Sequence, residues 1–193
     1  MAIEIKGNWD KGFALDLHTL SCECTGHDEH GQPQFKTVRS EIGQLLYTLK
    51  YKSDSSVIPS ITEKIKKSIT GIDKFHFLIS VPLSKKDRVF QPVVLVCQAL
   101  STEFNIPYLQ DAVIKTKTTE ELKTIQDPKQ RKAILENAIS FNNKYNMINK
   151  NILLIDDLYR SGSTLSVVTD VLYKIGKANK VCVLTLTKTR VNK

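Results

Sequence analysis

An α/β fold with a central, mainly parallel sheet flanked by helices is predicted by two features of the sequence. Apolar runs of strand length alternate with helix-period segments from Phe75 to Leu186, the order that builds parallel sheets through right-handed crossovers. One of those runs, Phe75 to Val81, is nearly continuous rather than alternating, the mark of a strand covered on both faces, and Ile152 to Ile155 is a four-residue apolar strand. A chain of 193 residues is long enough to bury one such core, and no second domain is required.

Taken in order, Phe13, Leu15 and Leu17 alternate with Ala14, Asp16 and His18, the period of a half-buried strand. The turn-rich stretch Thr25 to Pro33 follows, and Phe35 to Val38 reads as a returning strand, so Gly12 to Val38 is expected to form a hairpin-like unit. From Ser40, a candidate N-cap, Ile42, Leu45, Leu46 and Leu49 fall on one helical face. Ile61, Ile65 and Ile69 repeat at every fourth position before Gly71, which predicts a second helix and its stop.

Phe75 to Val81 is then a buried strand, and Pro92 opens a helix through Val96, Leu100 and Phe104, since proline suits a first helical turn. Ile106 to Ile114 reads as a further strand. Lys115 to Asp127 is polar without a clear period and is expected to be a mobile loop, with a short helical piece at Glu120 to Lys123. Pro128 opens a helix through Ala138, Ile152 to Ile155 is a strand, Ser163 to Ile175 a helix, and Val181 to Leu186 the last strand. No internal repeat and no low-complexity tract interrupts this order.

Hydrophobic and charged fractions of 41% and 25% exclude disordered and fibrous classes. Met1 to Asp10 contains no apolar run of signal length, and nowhere do roughly eighteen apolar residues follow one another, so a cytoplasmic protein with no membrane partner is expected. Cys22, Cys24, Cys97 and Cys182 are too few and too unevenly placed for a disulfide framework; Cys97 and Cys182 lie in apolar runs and read as core thiols. The net charge of +8 favours an anionic partner, nucleic acid or polyphosphate. The lysines are dispersed and few aromatics lie among them, unlike a stacking platform for single strands.

The segment Ile152 to Thr164, ILLIDDLYRSGST, carries the clearest chemistry. A buried strand ends at Asp156 and Asp157, where open α/β sheets place their ligands, and adjacent carboxylates suit the two neighbouring hydroxyls of a ribose. Ser161, Gly162, Ser163 and Thr164 then bring small side chains, hydroxyls and backbone N–H groups to a helix start, a place for phosphate. Gly162 permits a backbone conformation or close approach that a β-carbon would obstruct. The alternative is an ordinary strand-to-helix turn with solvated acids, capped by Ser163. A second loop, Leu83, Ser84, Lys85, Lys86 and Arg88, directly follows the buried strand ending at Val81; its three cations offer countercharge to a pyrophosphate, or form a solvated basic loop.

These residues resemble the signature of type I phosphoribosyltransferases: four apolar residues, two acids, and a small-residue loop that binds phosphoribosyl pyrophosphate (PRPP). Tyr159 and Arg160 stand where that signature usually carries aliphatic and small hydroxyl residues, so one side-chain contact to the 5′-phosphate is expected to be either missing or replaced by the guanidinium. The stretch SVPLSKKDRVFQPV is similar to the pyrophosphate loop and following helix of the competence-protein ComF family. The resemblance implies the type I phosphoribosyltransferase fold, with an N-terminal hood over residues 1–50 and a core over 51–193. It further implies transfer of phosphoribosyl from PRPP to a small-molecule nitrogen acceptor, with release of pyrophosphate, and a homodimer.

In such a reaction Lys85, Lys86 and Arg88 stabilise charge, and no general base is nominated. Mg²⁺ would be held mainly by substrate and water, with Asp156 or Asp157 as a ligand, while the loop Lys115 to Asp127 closes over the site. A second reading is an accessory protein of DNA uptake or repair that senses PRPP or a nucleotide with little turnover. A third is a nucleic-acid-binding protein without phosphoribosyl chemistry.

Some ComF-like proteins carry an N-terminal zinc site, and Cys22, Cys24, His27 and His30 are the candidate ligands here. Their crowding within nine positions argues against zinc, because structural sites usually draw paired ligands from separate elements. Trp9 and Phe13 belong either to a hood over the acceptor or to an anchor for the terminus. His18 is the outward residue of an alternating strand.

Overall fold

The computed structural model describes residues 2–82, 90–116, 136 and 138–190. Its strands and helices run β1 (Ile3–Glu4), β2 (Lys11–Leu17), β3 (Thr19–His27), β4 (Pro33–Arg39), α1 (Glu41–Tyr51), α2 (Ile58–Ser68), β5 (Phe77–Ser80), α3 (Pro92–Phe104), β6 (Val113–Lys115), β7 (Ile139–Phe141), β8 (Asn151–Tyr159), α4 (Ser163–Lys174) and β9 (Lys180–Lys188). The central sheet has the order β1-β2-β9-β8-β5. Only β1 is antiparallel to its neighbour; β2, β9, β8 and β5 are parallel. The expected α/β class, a mainly parallel sheet flanked by helices, is therefore present, and the carboxyl ends of four strands share one edge.

Each face of the sheet buries its own apolar layer. Ile152 and Leu154 of β8 and Val181 and Val183 of β9 pack with Leu165, Val168 and Leu172 of α4. Leu153, Ile155, Leu184 and Leu186 pack on the other face against Ile42, Leu46 and Leu49 of α1, Ile61 and Ile65 of α2, and Val96, Cys97 and Leu100 of α3. The continuous apolar run in β8 is thus explained by cover on both sides. Ser40 caps α1 as its sequence suggests, its Oγ accepting from the Gly43 N–H at 3.0 Å. Cys97 is fully buried and burial raises its thiol pKa, so it is an inert core thiol; Cys182 is half-buried.

Several expectations are corrected. The hairpin is β3 with β4, and Lys11–Leu17 is no arm of it but a strand of the central sheet, parallel to β9. Ala14 and Leu15 point to opposite faces and both are buried, so the alternation that suggested one wet face was misleading. Ile106 to Ile114 does not form one strand. Tyr108 makes a single bridge to Leu78, and a turn at Gln110 and Asp111 breaks the run before β6.

The β6–β7 pair is a separate two-stranded antiparallel sheet, and β7 was not expected. Strand β8 extends four residues beyond Ile155, so both acids lie within it. Helix α2 ends at Ser68, with Gly71 at φ 77° closing the connection beyond it. The predicted helix at Glu120 to Lys123, and most of the helix Pro128 to Ala138 and of the loop Lys115 to Asp127, lie outside the described residues. Among the described residues no helix is long and apolar enough to cross a membrane.

Leu154 is fully buried at the centre of the sheet. Leu154→Ala is expected to lower unfolding free energy in urea by about 2–5 kcal/mol, whereas Val38→Ala on the exposed hairpin face should change it by no more than about 0.5 kcal/mol. Equal effects at the two positions would contradict the assigned core.

Candidate functional site

The carboxyl edge of the sheet gathers the chemistry. Asp156 and Asp157 stand side by side in β8, and as successive strand residues they start toward opposite faces. Asp157 is engaged: its Oδ2 lies 2.5 Å from Lys50 Nζ on α1, with both side chains mostly shielded from water. Asp156 accepts the Asp157 backbone N–H at 2.8 Å. Burial, and then the neighbouring Asp157 charge, push the Asp156 carboxyl well above the usual carboxylate range; the Asp157 N–H and the Lys50 ammonium oppose this only in part. One acid is therefore a paired anion and the other a carboxyl that readily takes a proton.

Beyond β8, Arg160 and Ser161 are exposed and Gly162 is the N-cap of α4. Gly162 adopts φ 72°, and a β-carbon there would lie 2.8 Å from Cε2 of Tyr159, so only glycine fits without displacing the ring. No side chain caps α4, and its own ladder begins with the Ser166 N–H donating to the Gly162 carbonyl at 2.8 Å. The first-turn amides of Ser163, Thr164 and Leu165 are therefore not consumed by the helix. The hydroxyls of Ser161 and Ser163 are 3.0 Å apart beside them. Backbone dipoles and hydroxyls so arranged favour an anion at this point.

Tyr159, expected among the PRPP-binding residues, is tied to the N-terminal segment. Its hydroxyl donates to the Lys6 carbonyl at 3.3 Å and its ring meets Trp9 edge to face, with centroids 6.4 Å apart. Trp9 is buried and its indole N–H donates to the Ile5 carbonyl, while the Asn8 side-chain amide donates to the Ser166 carbonyl. The N-terminal segment thus braces the loop and the start of α4, and Trp9 is an anchor. Phe13 is half-buried within β2.

The end of β5 borders the same edge, since the Val81 N–H donates to the Ile155 carbonyl at 3.0 Å. Ser80 is buried and its Oγ is 2.7 Å from the Tyr108 hydroxyl. A cleft of about 170 Å³ opens here between Ser80, Val81, Pro82, Asp111 and Lys115. Leu83, Ser84, Lys85, Lys86 and Arg88, which continue from it, lie outside the described residues.

Cys22 and Cys24 are exposed on β3, His27 ends that strand, and His30 lies in the exposed turn beyond it. The two thiols meet Thr37 Oγ1 and the Gly26 carbonyl rather than each other. Among the described residues no three His, Cys, Asp or Glu side chains gather in a way that could hold a metal ion. Lys50 is the site residue the sequence reading missed. Its only local signal was a cation in the last turn of α1, and its partner lies 107 positions away.

By fold and site this is an α/β protein that offers an uncapped helix start and strand-end carboxyls on one edge of a parallel sheet. Over 159 residues it is 28% identical to competence protein ComFC of Bacillus subtilis (strain 168), a match covering 78% of this chain and 61% of the relative. The likeness to ComF-type proteins thus extends well beyond the motif residues, although the chain spans only about 61% of that relative's length. No family model matches the chain.

Solved structures that it resembles include adenine phosphoribosyltransferase from Thermoanaerobacter pseudethanolicus, with a TM-score of 0.46 and 12% identity over 84% of this chain and 92% of that one. Purine phosphoribosyltransferase from Pyrococcus horikoshii gives 0.39 and 16% over 69% and 80%. Adenine phosphoribosyltransferase from Saccharomyces cerevisiae gives 0.45 and 8% over 88% and 84%.

Two outcomes follow from the geometry. Gly162→Ala is expected to cost at least about 1–2 kcal/mol of stability from the left-handed backbone alone, read by denaturant titration; a change within experimental error would mean the loop relaxes freely. Asp156, with its folded pKa raised, penalises the fold as pH rises from the ordinary carboxylate range through that raised pKa. The stability of Asp156→Asn relative to the parent protein should therefore increase from pH 4 to pH 8. A difference that stays flat or falls would contradict the burial of this carboxyl.

Proposed function

We propose that the protein binds PRPP at the carboxyl edge and acts as a ComF-like phosphoribosyltransferase, passing phosphoribosyl to a nitrogen acceptor and releasing pyrophosphate. The observation that carries this reading is the uncapped start of α4 behind left-handed Gly162, directly after the acids of β8. A sugar phosphate matches both halves of that arrangement. The amides of Ser163, Thr164 and Leu165, with the Ser161, Ser163 and Thr164 hydroxyls, take the 5′-phosphate. Asp156 and Asp157 accept from the ribose hydroxyls, which requires Asp157 to share its carboxylate with Lys50.

Departure of pyrophosphate leaves positive charge on the ribose, and the Asp157 carboxylate stabilises it by position alone, without proton transfer. Lys85, Lys86 and Arg88 follow β5 in sequence and are assigned to the leaving pyrophosphate; the exposed guanidinium of Arg160 is assigned to the 5′-phosphate. The donor set fits Mg²⁺ held mostly by substrate and water: Asp156 is one hard oxygen donor, Asp157 is tied to Lys50, and no larger cluster exists among the described residues. When bound, Mg²⁺ would neutralise charge on the pyrophosphate. The β3–β4 hairpin, rather than all of residues 1–50, is assigned the role of hood.

Calorimetric titration with PRPP and Mg²⁺ tests this. Saturable binding is expected, weakened at least about a hundredfold when Asp156→Asn and Asp157→Asn are combined, as the loss of two charge-assisted contacts implies. Binding that is absent, or indifferent to the double variant, removes the reading. Steady pyrophosphate release with an amine or base acceptor supports turnover; binding without release would move the protein to the sensing role.

A further inference from the structure

Resting on that reading, we propose that His18, linked through Thr187 to Asp157, and Arg39 form the acceptor seat, and that the acceptor is a nitrogen nucleophile bearing an anionic group, carboxylate or phosphate. His18 directly follows β2, and Arg39 ends β4, paired with Thr19 at the base of the hairpin. Both therefore stand at the carboxyl edge that holds Asp157. One short connection joins His18 to it: Thr187 Oγ1 is 3.3 Å from His18 Nδ1 and 3.1 Å from the Asp157 carbonyl, while Lys50 Nζ is 2.5 Å from Asp157 Oδ2.

The hydrogen bonds assign the imidazole. Thr187 donates its hydroxyl hydrogen to the Asp157 carbonyl, so it accepts from His18, which places the ring hydrogen on Nδ1. Burial first, and then the charges of Arg39 and Lys50, lower the His18 pKa against the opposing charge of Asp157, which favours the uncharged ring. Nε2 is thus a lone pair with no other partner among the described residues, suited to receive a hydrogen bond from an acceptor N–H.

Beside it the charge does not balance. Two cations, Arg39 and Lys50, act on the imidazole against one carboxylate, and that carboxylate is already held by Lys50. Arg39 has no carboxylate partner among the described residues. Its guanidinium lies over the Tyr47 ring at 4.0 Å, and its Nε–H is buried without an acceptor. A planar cation fixed on a ring face and short of acceptors is prepared for an anion. A ring lone pair on the same sheet edge as an unanswered guanidinium describes a ligand with an N–H and an acid on the same molecule.

The test follows the ring signals of the four histidines by heteronuclear NMR in the full chain saturated with PRPP and Mg²⁺. Sodium acetate and inorganic phosphate serve as separate anion probes. Either probe is expected to move the His18 signals saturably and to leave His76, whose Nδ1 accepts from the Asn151 N–H, unmoved. Arg39→Met, which keeps the apolar stem over Tyr47, should weaken that response at least about tenfold, and Arg39→Lys should keep part of it. Unchanged His76 signals in both variants report an intact fold.

No His18 response to either probe, or an equal response in Arg39→Met, overturns the proposal even if PRPP binds normally. An Arg39-dependent response in a protein that fails to bind PRPP supports the anion seat and sinks the preceding functional reading instead.

Discussion

Strand β8 has apolar cover on both faces, from α4 on one side and from α1, α2 and α3 on the other, and the rest of the molecule is arranged around that constraint. A strand so placed tolerates polar side chains only where the cover ends. Asp156 and Asp157 sit at that limit. Burial still raises the Asp156 pKa, and Asp157 is accommodated by Lys50. Past that limit β8 runs on to Tyr159, and the chain then turns through Gly162 to return the apolar face of α4 to the sheet. Strand end, acids and helix start are therefore one consequence of burying Ile152 to Ile155, not separate inventions.

The Lys50–Asp157 pair makes the N-terminal part of the chain integral to this edge. Both side chains are about three-quarters or more shielded, so the pair belongs between exposed ion pairs, about 0–1 kcal/mol, and fully buried ones, whose disruption costs about 3–5 kcal/mol. Gly43 allows the geometry. A β-carbon there would lie 2.3 Å from the His18 carbonyl, so glycine lets the first turn of α1 press against the end of β2. That contact, with Ser40 Oγ donating to the Leu17 carbonyl, sets the axis along which Lys50 reaches Asp157.

Local pattern made much of this legible. The periods of α1, α3 and α4, the unbroken runs of β5 and β8, and the acid-acid-loop-glycine order were visible because each depends on neighbours within a few residues. What failed depends on distance. Phe13 to Leu17 looked half-wet because Ala14 and Asp16 are small or polar, yet pairing with β9, far along the chain, buries Ala14 completely. Ile106 to Ile114 has the apolar content of a strand, but Pro107 provides no N–H and the segment gives β5 a single bridge before turning. Lys50 was one lysine among many until its partner 107 positions away came beside it.

The departure at Tyr159 acquires a physical reason once the N-terminus is in place. A small aliphatic side chain at Tyr159 would leave the ring edge of Trp9 without its neighbour and the Lys6 carbonyl without its donor. The tyrosine instead fills the space a β-carbon at Gly162 would need, so its bulk and the left-handed turn of the loop enforce each other. The loop is held open from behind: Tyr159 and Trp9 brace its base, and Asn8 binds the Ser166 carbonyl. Its amides are thereby held in place, an arrangement that would lower the ordering cost of the proposed sugar-phosphate binding. Tyr159, which departs from the resembled signature, thus fixes the base of the loop.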